Sequence, residues 1–153
     1  MLRDVVTPSQ STQQFQQDSN GILLFYDNSR SKYISVSREE FSFGIRHRNI
    51  TGTRWLAATS NLITNVSGYK IPRNASITAI TVQTQNSAAG CTFDIFRNGV
   101  AVSLTSISLS SETSKIIDNL DLDLNQGDWL QCQLTVTSGT VDYPMILLEI
   151  AWR

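Results

Sequence analysis

Few residues in this chain have types and spacing that suit chemistry. The densest set lies in "FYDNSRSKY", residues 25–33, where Asp27, Arg30 and Lys32 fall among Tyr26 and Tyr33. Catalysis there would need a nucleophile, a proton-transfer partner or a metal within reach. None accompanies the set. Asp27 and Asn28 have a simpler use: such residues bond their own backbone and tolerate left-handed conformations, which makes "DNSRS" a turn. The runs on either side, "ILLFY" and "KYISVS", are β-rich, and the second places Ile34 and Val36 on one face. The stretch reads as a β-hairpin with a charged tip.

The other candidates also lack parts. His47 is the single histidine and stands between Arg46 and Arg48 in a basic, loop-like segment. No nucleophile–base pair forms around it, so a hydrolase is not expected and the chain reads as no enzyme. Asp121, Asp123 and Asn125 have the spacing of a calcium loop, but Gly127 falls one place late and Cys132 stands where a bidentate Glu belongs. Alternation with Leu120, Leu122 and Leu124 accounts for the aspartates more simply, as the solvent side of a strand. The two cysteines, Cys91 and Cys132, with one histidine do not complete a four-ligand zinc site. They read as buried free thiols, with a disulfide as the alternative. No metal and no cofactor is expected.

These residues must be carried by strands. A chain of 153 residues is most simply one domain, and its 41% hydrophobic and 16% charged composition is that of a globular protein of low charge density. No stretch approaches the ~18 apolar residues of a membrane span. The first residues show no apolar run after their basic residue, so no secretory signal is expected. Residues 1–19 are rich in Gln, Ser and Thr and have no period; alone they would not order. They read as an extended N-terminal arm held by a neighbouring subunit or another protein, leaving residues 20–153 as the head.

Within the head, "EFSFGI" places Phe41, Phe43 and Ile45 in step. "SITAITVQTQ" breaks parity near Ala79 and Ile80, which predicts a bulge. "CTFDIF" puts Cys91, Phe93 and Ile95 on one face, and Asn98-Gly99 is a strong hairpin signal. "LQCQLTV" alternates, with Leu130, Cys132, Leu134 and Val136 inward and Gln131, Gln133 and Thr135 outward. No window carries a capped helical stripe. Many short strands separated by turns predict an antiparallel sandwich or barrel.

Two positions point beyond the chain. In "MILLEIAW", Ile146, Leu148 and Ile150 alternate toward one side, yet Met145 and Leu147 make the other side apolar as well. A strand apolar on both faces is covered on both, so Met145 and Leu147 are expected at a subunit interface. Trp129 has the outward parity of Gln131 and Gln133; it suits the same interface, cover for a strand edge, or a platform for a sugar ring. The charge is also divided. Residues 1–73 carry a net +4 and residues 74–153 a net −5. That does not make a uniformly basic face for nucleic acid. It does predict that Arg30, Lys32, Arg46, Arg48 and Arg54 meet acidic surface on another copy or another protein.

From Trp55 onward the order of pieces resembles a trimeric jelly-roll head. "GYKIPRNASITAITVQTQ" resembles the strand by which such heads enter the sandwich, and "FDIFRNGVAV" their central hairpin. "LNQGDWLQCQL" is similar to the turn and strand of complement-type and tumour-necrosis-factor-like heads. The closing "LLEIAWR" and the early "FYDNSRSKYISVSRE" resemble small virion proteins of tailed bacteriophages. No collagen-like or coiled-coil stalk precedes the head. The resemblance implies an all-β, antiparallel jelly-roll β-sandwich with an N-terminal arm. It implies a homotrimer at the virion surface, a capsid decoration (cement) protein that bridges coat subunits. Phe15 of the arm and the basic residues above would then touch the major coat protein or another virion protein. A receptor- or glycan-binding knob of a tail or head fibre is the alternative. Neither nucleic acid nor membrane is expected as a partner.

Overall fold

A computed structural model describes residues 15–58, 63–86, 90–102 and 106–153. Most of the expected arm, residues 1–14, lies outside the described residues. The described chain is all β. In order, its strands are β1 (Phe15–Gln17), β2 (Leu23–Asp27), β3 (Lys32–Ser35), β4 (Glu39–Gly44), β5 (Thr53–Trp55), β6 (Ala57–Ala58), β7 (Tyr69–Lys70) and β8 (Ala75–Gln83). They continue as β9 (Gly90–Arg97), β10 (Val100–Ala101), β11 (Ile107–Leu109), β12 (Ser114–Ile117), β13 (Leu122–Leu124), β14 (Trp129–Ser138) and β15 (Met145–Trp152).

Two sheets form the sandwich. In the first, β5, β14, β9 and β11 lie side by side, with β7 also on β14 and β10 also on β9. In the second the order is β6-β4-β15-β8-β12, with β13 also on β8. All pairs are antiparallel. Eight strands in chain order, β4, β5, β8, β9, β11, β12, β14 and β15, thus split into β4-β15-β8-β12 and β5-β14-β9-β11. That arrangement is a jelly roll: the chain crosses between sheets, and its last strand returns between the first and third. The β-sandwich expected from the sequence is the fold found.

Alternation produced this result. Phe93 and Ile95 of β9 pair with Leu134 and Cys132 of β14 within one sheet, and these four, with Cys91 and Leu130, are essentially inaccessible. Ile77, Ile80 and Val82 of β8 and Ile146, Leu148 and Ile150 of β15 supply the opposite wall. One continuous cluster joins both walls. The predicted bulge is present: Glu149 pairs with Ala79 while Ile150 pairs with Ile77, leaving Thr78 as the extra residue. The shift lets Ile77 and Ile80, three positions apart, both point inward. Asn98 and Gly99 have φ of 54° and 79° and close a two-residue hairpin between Arg97 and Val100. Both cysteines are free and buried.

Beside the sandwich, β1, β2 and β3 form a small sheet. Its turn is as expected. Asp27 Oδ1 accepts hydrogen bonds from Ser29 N, Ser29 Oγ and Arg30 N, and Ser31 takes φ 52°. Ile34 is buried but Val36 is 51% exposed, against the expectation that they share a face. The strand ends at Ser35, whose hydroxyl accepts from Trp152 N and turns the chain toward β15.

Candidate interaction surface

The expected partner-binding residues divide into groups that the fold keeps apart. Met145 and Leu147 lie on the outer side of β15, half-buried, opposite the inaccessible Ile146 and Leu148. Trp129 does not join them: it begins β14 in the other sheet, beside Lys70, and its backbone N–H donates to Asn98 Oδ1. The outward set around it is also not all solvent-facing. Gln131 is inaccessible, because its Oε1 accepts from Gly99 N and its Nε2 donates to Thr64 O. A loop laid over β14 covers the parity position that alternation alone assigns to solvent.

The basic residues divide too. Arg30 is engaged inside the chain: its Nη1 lies 2.6 Å from Asp27 Oδ2 and its Nε donates to Leu120 O. Lys32 Nζ lies 2.7 Å from Asp121 Oδ1 and 2.6 Å from Asp123 Oδ1. Asp123 also meets Arg153 Nη1 at 3.1 Å and accepts from Ser76 Oγ. The aspartates whose spacing resembled a calcium loop therefore close on Lys32 and Arg153. For Arg30 and Lys32 the acidic surface is found on their own chain, in place of the expected second copy or coat. Burial opposes the charge on Asp123, but the bonds from Lys32 and Ser76 outweigh it and hold its carboxyl below the usual range.

Arg46, Arg48 and Arg54 are brought together. All three are exposed; Arg46 and Arg48 lie at one end of the second sheet, where Ile45 N donates to Pro144 O and Tyr143 N to His47 O, and Arg54, in β5 of the first sheet, is near that end. An open cleft of about 780 Å3 forms there, lined by Gly44, Arg46, Arg54, Trp55, Tyr143 and Met145. Arg48 Nε donates to Tyr143 Oη at 3.0 Å, and its guanidinium lies over that ring. Among the described residues, neither Arg46 nor Arg54 is within ion-pair distance of a carboxylate. Phe15, in β1, is 57% exposed and pairs with Phe25.

The outer side of the second sheet continues from this cleft in rows. Gly44 is paired with Met145 and Ala57, and Met145 with Gln83. In the next row Ser42 pairs with Leu147, Leu147 with Thr81, and Thr81 with Ile116, which is 70% exposed. In the last row Glu40 pairs with Glu149 and Glu149 with Ala79. Asp118, one residue past β12, is exposed at that end. The surface passes from cations, through small and apolar side chains, to carboxylates, of which Glu149 is met by Arg38 Nε at 3.6 Å. Of this face the sequence reading named Met145, Leu147 and the arginines, but not Ile116 or the acidic row. One sign was available in "EFSFG", where the outward partners of Phe41 and Phe43 are the small Ser42 and Gly44. Among the described residues no cluster of His, Cys, Asp and Glu is placed to hold a metal.

No protein-family model matches this chain. No curated protein matches it. Among solved structures, the native structure of a family 35 carbohydrate binding module from Clostridium thermocellum is similar, with a TM-score of 0.40 and 14% identity. The match covers 75% of this chain and 98% of that one. No ligand or activity for this chain follows from it.

Proposed function

We propose that this protein is a non-enzymatic structural protein of a virion surface, a decoration protein that works by protein–protein contact. The observation that supports it is the outer side of the second sheet along the rows of Met145 and Leu147, where these half-buried side chains and the exposed Ile116 stand among small residues. Partly exposed apolar side chains set among small neighbours leave room for a partner's contact. The virion assignment itself rests on the resemblance of the hairpin and the closing strand to small phage proteins. In this reading the arm leads to the coat, ending in β1 with Phe15 exposed, and the head contacts other copies. The cleft beside Trp55 and Tyr143 favours a second reading, a glycan- or receptor-binding knob.

The test is co-sedimentation of the purified chain with capsids assembled from phage coat protein alone. The full chain should bind, and a chain lacking residues 1–19 should bind at least tenfold more weakly. Equal binding of the two removes the role of the arm. No binding by the full chain, with binding instead to host-cell surface, replaces the decoration reading with the knob.

A further inference from the structure

The order of charges on the outer side of the second sheet selects its occupant. Along β4 and its extensions the outward positions run Arg46, Gly44, Ser42, Glu40 and Arg38; Arg38 is engaged by Glu149 at 3.6 Å, and Arg46 and Glu40 lie at opposite ends of the face. At ~3.4 Å per residue they are roughly 20 Å apart. The apolar pair on β15, Met145 and Leu147, lies between these ends, with Thr81 and Ile116 extending the Leu147 row across the sheet. Glu149 stands beside Glu40 at the acidic end, and Arg54 beside Arg46 at the basic end.

Such a face is complementary to itself in one orientation. Turn a second copy about a twofold axis lying in the contact plane and running across the strands. Each β4 then crosses its equivalent in the reverse direction, Arg46 meets the second copy's Glu40, and Met145 meets the second copy's Leu147. A twofold axis along the strands would instead stack arginine on arginine and glutamate on glutamate. We infer that the outer side of the second sheet is a twofold self-association surface, in which two copies pack sheet to sheet with their strands reversed. This rests on the assembly reading above and specifies the partner of the face. It differs from the threefold assembly expected from sequence, since a threefold axis never places one face on its own equivalent.

The size of the face sets the strength. Five strands at ~4.8 Å spacing and the six residue steps from Arg46 to Glu40 give a patch of about 24 by 20 Å, since Ala151, Ser76 and Thr78 beyond it are buried. That is on the order of 500 Å2 per copy, well below the ~800 Å2 of a standard stable interface. The paired charges are at the rim and set orientation and association rate more than affinity. A reversible dimer with micromolar dissociation is expected, weakened by salt as the Debye length falls from ~10 Å at 0.1 M to ~3 Å at 1 M.

Sedimentation equilibrium of the full chain tests this between about 1 μM and 1 mM, at low and high salt. The wild type should pass from monomer to dimer, and Leu147→Asp should remain monomer with its thermal transition nearly unchanged. Arg46→Glu and Glu40→Arg should each weaken the dimer about tenfold or more. An equimolar mixture of those two variants should recover it, because each then meets the opposite charge in both rim contacts. A monomer throughout, a trimer mass, or failure of the mixture to recover overturns the inference. The particle-binding experiment reads the decoration role separately: coat binding by a monomeric Leu147→Asp chain would leave that reading standing while the dimer is tested on its own.

Discussion

Asp27 illustrates how much a single side chain settles. Its burial opposes ionisation, yet the Ser29 hydroxyl, the Arg30 guanidinium and the Arg30 and Ser29 amides together bring its pKa down from 3.8 to about 2. A carboxyl with a depressed folded pKa contributes stability that is complete above its unfolded value, near 4, and is lost as pH falls through about 2. The shift corresponds to roughly 2 kcal/mol at neutral pH. Asp27→Asn should therefore lower the urea-unfolding free energy at pH 7 by about that amount, and should flatten the wild type's loss of stability between pH 4 and 2. An unchanged midpoint at pH 7 would show that the carboxylate is dispensable to the turn. The turn itself was legible in "DNSRS", because its bonds span two or three residues. The partners of Lys32 were not, because Asp121 and Asp123 lie 89 and 91 positions away. Charge type predicts that a lysine seeks a carboxylate; only the fold decides which one.

At the scale of elements, alternation was enough to place β8, β9, β14 and β15 and their inward residues, including the bulge at Thr78. It failed where one element lies across another. The loop of residues 64–68 covers Gln131 and approaches β14 so closely that a Cβ at Gly68 would stand 2.5 Å from Leu130 O and 2.9 Å from Gln131 Cγ. Leu130 O, and Leu130 C at 3.0 Å, belong to the backbone of a strand bonded on two sides, so it cannot easily withdraw. Gly68→Ala should cost about 1–3 kcal/mol through this overpacking. The urea midpoint should fall with the slope of the transition unchanged. Full wild-type stability would mean that the loop lifts from β14 at little cost, and Gln131 would then be only loosely covered. No pattern in "NVSGYK" marks this crossing. A glycine before a short strand has many local uses, and this one is fixed by a strand more than 60 positions on.

For the whole molecule, the packing divides more sharply than the chain does. The sandwich core is one cluster closed by β15, which lies between β4 and β8. The small sheet contributes Leu24 and Ile34, both buried, but neither belongs to that cluster. Ile22, just before β2, packs against that cluster, and polar contacts add to the attachment: Arg30 to Leu120 O, Lys32 to Asp121 and Asp123, and Ser35 Oγ to Trp152 N. Partly exposed ion pairs of this sort contribute little each, ~0–1 kcal/mol. Apolar burial holds the sandwich far more strongly, so the hairpin can open while the jelly roll stays closed. Native-state hydrogen exchange should show the amides of residues 23–35 exchanging at least tenfold faster than those of 146–150. Lys32→Met should widen the gap by speeding the hairpin alone, since Asp121 and Asp123 are left facing each other. Raising the salt should act in the same direction by screening the pairs. Equal protection in hairpin and sandwich, or a Lys32→Met variant that speeds both together, would mean that the two sheets unfold as one unit. In that case Ser35, Leu24 and Ile34 would bind the hairpin to β15 more tightly than its polar contacts imply.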